Sequence, residues 1–170
     1  MLHDFHNQIT PLKYRYILAF GSNLGPKQKQ IELGLKEVLK ENQLVGCSRF
    51  ISTTPLKSQL YDTKNHENYC NMVCDIQSKL NPLELYKKIV LVEDKIGHNR
   101  TGKWLPRKLD IDLLLWAKNF YNDFNFCPPL FFKADSFQVP HNEFSKRDFL
   151  LDLCKDLKIT RKCLKKHRIL

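Results

Sequence analysis

From Tyr14 to Phe20 the chain is a short apolar, aromatic run, the pattern of a buried strand. It stops at Gly21-Ser22-Asn23-Leu24-Gly25-Pro26, a cluster of turn formers. Ile31, Leu35, Val38 and Leu39 then recur with helical spacing, predicting an amphipathic helix to about Lys40. A second strand is expected over Val45 to Thr53, a long polar loop over Thr54 to Glu67, and a third strand over Tyr69 to Gln77. Asn81-Pro82-Leu83-Glu84 carries the signals of a helix start: a capping residue, proline in the first turn, and glutamate three after the cap. Leu85, Ile89, Val92 and Ile96 form that helix's apolar stripe, and Gly97 suits its C-terminal cap. A basic loop from His98 to Lys108 leads into a fourth strand, Leu109 to Trp116. The aromatic stretch Lys118 to Phe137 reads as a hairpin or irregular excursion on the sheet, and a short helix follows from about Ser145 to Leu157. Strands and helices alternate without regular βαβ spacing, which favours an α+β sandwich over a doubly wound sheet.

The fourth strand holds the strongest chemical signal. Asp110 and Asp112 are two apart, so on a strand they share one face with Cα atoms roughly 6.5–7 Å apart. Leu109, Ile111 and Leu113 take the other face, and Leu114, Leu115 and Trp116 carry the strand into a core. Two carboxylates together beside a core repel and resist desolvation unless cations neutralise them. Carboxylate oxygens suit Mg²⁺, which keeps few protein ligands and leaves room for phosphate. Arg107 just upstream offers a bidentate grip on the same phosphate.

With 170 residues the chain is long enough for one domain with a real core. Six cysteines contain no Cys-x-x-Cys pair, so neither a zinc ribbon nor a thioredoxin motif is supported. The polar Met1 to Pro11 segment has no signal-peptide character, and no long apolar span follows, so the expectation is a reduced, cytoplasmic protein. A formal charge of +10 would attract nucleic acid, anionic membranes or phosphate-rich small molecules. Much of that excess lies in the tail, at Lys155, Lys158, Arg161, Lys162, Lys165, Lys166, His167 and Arg168, and a basic tail is most often a solvated end.

The strand, turn and helix at the start invite a nucleotide-loop reading, yet neither a P-loop nor a Gly-x-Gly-x-x-Gly turn is present. The ordered motifs instead resemble the 6-hydroxymethyl-7,8-dihydropterin pyrophosphokinases of folate biosynthesis. The resemblance runs from Tyr16-Ile17-Leu18-Ala19-Phe20-Gly21-Ser22-Asn23-Leu24-Gly25 through Ser48 to Leu56, Tyr69-Cys70-Asn71, and Glu93 followed by Gly97. Its strongest part is Arg100…Trp104-x-Pro106-Arg107-x-Leu109-Asp110-x-Asp112, and it closes with Val139-Pro140-His141 and Arg147-x-Phe149. About residues 14 to 157 are covered, leaving 1 to 13 as an extension and 158 to 170 as the basic tail.

The resemblance implies a ferredoxin-like αβα sandwich with a mainly antiparallel central sheet. It implies diphosphate transfer from ATP to the pterin hydroxymethyl group, with AMP released and two Mg²⁺ ions held by Asp110 and Asp112. Arg100 and Arg107 would stabilise the charge that develops on the phosphates, on a loop that closes over the substrates. His98, Lys103, Trp104, His141 and Arg147 match positions facing ATP, and Glu93 an organising carboxylate of that side. Tyr69 and Phe149 match ring-stacking positions, and Asn71 a residue that donates to and accepts from the pterin edge. Gly21, Asn23, Thr53 and Leu56 complete the implied pterin site. The expected partners are therefore ATP and 6-hydroxymethyl-7,8-dihydropterin, for a monomer that uses neither nucleic acid nor membrane.

Several positions depart from the family's pattern. His98 stands for the usual arginine, which makes one phosphate contact weaker or pH dependent. Leu105 stands for the usual glycine, Thr54-Pro55 for Pro-Pro, and Val90 for a glutamine. These departures keep alive a pseudoenzyme that binds ATP and pterin without turnover. The charge and aromatics keep alive a basic RNA-binding module, although no RNP-like pattern is present.

Overall fold

The computed structural model describes residues 12–55, 66–97, 105–118, 129–166 and 168–170. Its elements follow in the order β1 (Tyr14–Ser22), α1 (Lys27–Val38), β2 (Gln43–Cys47), β3 (Ile51–Thr53), β4 (Tyr69–Ser78), α2 (Pro82–Ile96) and β5 (Asp110–Lys118). The short strands β6 (Phe132–Lys133) and β7 (Gln138–Val139), a 3-10 turn at Phe144–Lys146, α3 (Asp148–Asp156) and α4 (Arg161–Lys166) complete the chain.

The main sheet has the order β2-β4-β1-β5, with β3 also on β4, and every pairing is antiparallel. Counting β2 and β3 as one bent edge, this is the β-α-β-β-α-β arrangement of ferredoxin-like folds. The expected strand over Val45 to Thr53 is thus two pieces. Ser48 sits at the break, where its hydroxyl donates to the carbonyl of Arg49 (2.8 Å) and accepts the N–H of Val73 (3.0 Å).

Strand periodicity sorts the core into two clusters. Tyr16, Leu18, Phe20, Met72, Cys74 and Ile76 meet Ile31 and Val38 of α1 and Leu85 and Ile89 of α2. Ile17, Ala19, Val73, Leu115 and Ala117 on the other face meet Leu150, Leu151, Leu153 and Cys154 of α3. α2 begins at the capping box expected from sequence: Asn81 Oδ1 accepts from Leu83 N (3.0 Å) and Glu84 N (3.1 Å), while Glu84 Oε2 accepts from Asn81 N (2.8 Å). It ends on Gly97 at φ 101°, where glycine avoids a side-chain clash.

The tail differs from the expected solvated end. Ile159 and Leu164 are buried in the α3 cluster, and Ile169 and Leu170 pack against it. The cations of α4 are held outward on a docked element. Among the described residues no helix is long and apolar enough to cross a membrane.

β5 carries a β-bulge. Ile17 faces Leu115 while Leu18 faces Leu113, so Leu114 is the extra residue. The bulge reverses the alternation: Leu114 and Leu115 both join the α3 cluster, and Trp116 turns to the other face. The run of three apolar residues is explained by this shift.

Beneath α3 the core holds one charge pair. Arg15 and Asp75 face each other with Nε–Oδ1 at 2.8 Å and NH2–Oδ2 at 2.6 Å, and their side chains are 5% and 3% exposed. Removing one member takes from the other its close counter-charge in a dry site. Asp75→Ala is expected to lower the unfolding free energy by about 3–5 kcal/mol in urea titration. Arg15→Met combined with Asp75→Leu should recover most of that loss, and equal losses in the two proteins would contradict the assignment.

Candidate active site

The register of β1 lays out the site. Gly21 pairs with Asn71 on one side and Asp110 on the other, while Ala19 pairs with Val73 and Asp112. Asn71 and Asp110 therefore stand two strand spacings apart, about 10 Å, on the sheet face that carries α3. Between them lies Gly21, with the small Ala19 next to it on the same face. A Cβ on Gly21 would lie 3.1 Å from Asn71 Oδ1 and 3.9 Å from Tyr69 Cδ1. The absent side chain is what keeps the floor open.

Over this floor lies a cavity of about 500 Å³. Tyr69 and Asn71 of β4, Thr53 of β3, Arg107, Asp110 and Asp112 around β5, and Arg147 and Phe149 at the start of α3 all line it. The structure thus brings together nine of the residues expected from sequence, Gly21 included. The Asn71 amide is oriented by Thr53, whose Oγ1 accepts from Nδ2 at 2.8 Å. That leaves Oδ1 toward Gly21 and a fixed acceptor edge at the cavity. Burial raises the Tyr69 hydroxyl pKa, Arg107 and Arg147 partly offset the rise, and Asp110 adds to it.

The two aspartates are approached by basic side chains from separate segments. Arg107 NH1 donates to Asp110 Oδ1 at 2.7 Å. His141 Nε2 lies 3.5 Å from Asp112 Oδ1, and Arg147 NH1 lies 3.7 Å from its Oδ2. Loss of hydration raises the Asp112 carboxyl pKa first, and the Asp110 charge raises it further. His141, Arg147 and Arg107 offset part of that penalty. The β5 bulge sets up one of these contacts, because the carbonyl of Leu114 accepts the His141 N–H at 3.0 Å. His141 Nδ1 accepts from Glu143 N (3.3 Å), which leaves Nε2 as the nitrogen turned to Asp112. Arg147 keeps its Nε buried with no partner among the described residues, a donor available to an anion.

A second cavity of about 210 Å³ adjoins the first, and Asp112 lines both. His141, Gln138, Phe137 and Tyr86 form much of its wall. Tyr86 and Phe137 stack with centroids 4.1 Å apart and planes 10° apart. The end of the aromatic excursion is thus accounted for: Phe132 packs on Phe137 at 5.4 Å and edge-on to Trp116 at 6.5 Å.

Two expected contacts stand behind the cavities instead of in them. Glu93, 5% exposed, accepts the Ile111 N–H at 2.7 Å, between the two aspartates. Asn23, 1% exposed, accepts the Arg107 N–H at 2.8 Å. Neither lines a cavity. Leu56, His98, Arg100, Lys103 and Trp104 lie outside the described residues.

Sequence reasoning missed His66, which lines the first cavity, and Tyr86 in the second. His66 sits in a polar stretch with nothing to mark it. Tyr86 lies beside the apolar stripe of α2, and its partner Phe137 is distant in the chain, so local periodicity carried no signal.

The 7,8-dihydro-6-hydroxymethylpterin-pyrophosphokinase family matches residues 17–159. The 2-amino-4-hydroxy-6-hydroxymethyldihydropteridine pyrophosphokinase of Haemophilus influenzae is 28% identical over 136 residues, spanning 79% of this chain and 75% of that one. The protein of the same name from Aquifex aeolicus is 30% identical over 134 residues, spanning 79% and 74%. Folic acid synthesis protein FOL1 of Dictyostelium discoideum is 31% identical over 134 residues, which are 79% of this chain but 18% of that longer protein. With a match over most of its length, on the strands and helices that build both cavities, the chain belongs to the 7,8-dihydro-6-hydroxymethylpterin-pyrophosphokinase family.

Proposed function

We propose that the protein transfers diphosphate from ATP to the hydroxymethyl group of 6-hydroxymethyl-7,8-dihydropterin and releases AMP, with two Mg²⁺ ions. The observation that carries this reading is the shared wall at Asp112. One cavity offers aromatic faces at Tyr69 and Phe149 with an oriented amide, suited to a flat heteroaromatic with a hydrogen-bonding edge. The other offers an aromatic stack and His141, suited to a nucleoside. Where they join, carboxylates and guanidinium groups meet, as a triphosphate and its cations require.

The donor set fits magnesium. Asp110 and Asp112 supply hard oxygen on one face, and burial together with the Asp110 charge raises the Asp112 carboxyl, a penalty that a bound cation would offset. These two residues would hold the ions, which when bound neutralise phosphate charge and orient the reacting groups. The protein's own side chains do the rest. Tyr69, Phe149 and Asn71 fix the ring so that its hydroxymethyl oxygen points along the floor toward the aspartates. Arg107 and Arg147 bind phosphate oxygens and stabilise charge as the bond from that oxygen to the β-phosphorus forms. The bond from the β-phosphorus to the oxygen bridging the α-phosphate breaks, AMP leaves with the electron pair, and the hydroxyl proton is released. His98, Arg100, Lys103 and Trp104 join this reading on their match to the family's motif alone.

The direct test is incubation with ATP, Mg²⁺ and 6-hydroxymethyl-7,8-dihydropterin, followed by separation of the adenine nucleotides. AMP formed only when pterin is present is expected. ADP would mean attack on a different phosphorus, and pterin binding without turnover would mean a pseudoenzyme. Chelation should abolish transfer and Mg²⁺ restore it. Asp112→Asn should lower kcat on the order of 10²–10³-fold with little loss of fold, and an unimpaired variant would sink the metal assignment.

The floor makes a separate, selective prediction. Gly21→Ala places a methyl 3.1 Å from Asn71 Oδ1, so pterin affinity should fall about tenfold, roughly 1.4 kcal/mol. Affinity for a non-hydrolysable ATP analogue should stay within about twofold. Calorimetric titration of each ligand separates the two effects.

A further inference from the structure

Arg107 precedes β5, so the sheet ladder does not hold it. Its backbone is fixed instead by one residue of the opening turn. Asn23 Oδ1 accepts the Arg107 N–H at 2.8 Å, and the Asn23 N–H donates to the Arg107 carbonyl at 3.1 Å. Both main-chain groups of Arg107 are therefore taken by Asn23. The same turn follows directly on Gly21, the floor of the first cavity. The clip thus ties the strand under the ring to the arginine that reaches Asp110 at 2.7 Å.

Asn23 itself is 1% exposed and lines neither cavity. Its Nδ2 is buried and finds no partner among the described residues. A buried donor left unmatched costs free energy, so the amide is held there for its oxygen. Among the described residues that oxygen serves one group, the Arg107 N–H.

We propose that Asn23 is a positioning residue for Arg107 and acts on transfer only through that guanidinium, not by touching pterin or ATP. Small displacements of a phosphate-binding group are costly: a 1 Å misplacement can lower rate by about 100-fold. The residue expected from sequence to contact substrate would then be a brace for one that does. The proposal rests on the transfer reaction above, and its test keeps the two separable.

The test compares Asn23→Ala, Asn23→Asp, Arg107→Ala and the Asn23→Ala/Arg107→Ala double variant, with hydrogen exchange of the Arg107 amide followed by NMR. Thermal unfolding shows whether each variant is folded. Asn23→Ala is expected to lower kcat by about 10–100-fold while the pterin Kd stays within about threefold. Exchange at the Arg107 amide should become at least about tenfold faster, since the amide loses its acceptor. Asn23→Asp keeps the acceptor oxygen but sets a carboxyl oxygen in the buried NH₂ position, so it should recover the slow Arg107 exchange and part of the rate. On the Arg107→Ala background, adding Asn23→Ala should change kcat by less than about twofold.

Multiplication of the two single effects in the double variant would overturn the proposal, because Asn23 would then act by another route. A pterin Kd that rises as much as kcat falls would return Asn23 to the substrate-contacting residues. An Arg107 exchange rate unchanged in Asn23→Ala would refute the clip whether or not the wild-type chain turns over. A protected Arg107 amide in a wild-type chain that makes no AMP would overturn the transfer reading alone.

Discussion

The register of the central strand is the constraint on which the site depends. β1 pairs with β4 and β5 so that Gly21 lies between Asn71 and Asp110, and Ala19 between Val73 and Asp112. A shift by one residue would move all of these to the opposite face and into the α1/α2 core. The same alternation that buries Tyr16, Leu18 and Phe20 therefore also turns the functional groups toward α3. Core packing and site geometry are specified together. Tyr16 and Phe20 are fully buried, so the register cannot slip without exposing large aromatic area.

Placing two carboxylates on that register creates an electrostatic problem, which three chain segments share in solving. Arg107 approaches from before β5, His141 from after β7, and Arg147 from the turn before α3. Their distances to the aspartates range from 2.7 Å to 3.7 Å, and only Arg107 is in tight contact. Burial of Asp112, with the Asp110 charge beside it, raises its carboxyl more than these neighbours lower it. A site fully neutralised by its own side chains would have nothing to offer a bound cation. Stability comes from elsewhere: the apolar clusters on both sheet faces hold the fold, with the satisfied Arg15–Asp75 pair set inside it.

What could be read from sequence follows the range of each interaction. The capping box at Asn81 and Glu84 is complete within four residues, and the Asp110–Asp112 pair needs only the period of a strand, so both were legible. The bulge at Leu114 was not, because it is defined by β1 opposite and not by β5 itself. The aspartic pair's supports were hidden for the same reason. Glu93 reaches Ile111 across the α2–β5 packing, and Asn23 reaches Arg107 across 84 positions. From sequence Asn23 looked like a pterin contact and Glu93 like an organising carboxylate, since a polar residue inside a motif invites a functional role. The tail misled in the opposite direction: its cations advertised a solvated end, while Leu164, spaced among them, was the residue that decided its place.

The bulge also explains how two cavities can share one carboxylate. Up to Leu113 the strand alternates between the α1/α2 core and the face carrying Asp110 and Asp112. At Leu114 the phase changes, and the carbonyl released from regular pairing is taken by the His141 N–H. That single bond brings the β7 segment, with Gln138 and Phe137, alongside Asp112 and opposite Tyr86. An unbroken ladder would have left the Leu114 carbonyl to the sheet and His141 without this anchor. The first cavity therefore depends on regular pairing at Gly21, and the second on its interruption four residues beyond Asp110. Asp112 lies between those two points, which is where a side chain lining both cavities has to be.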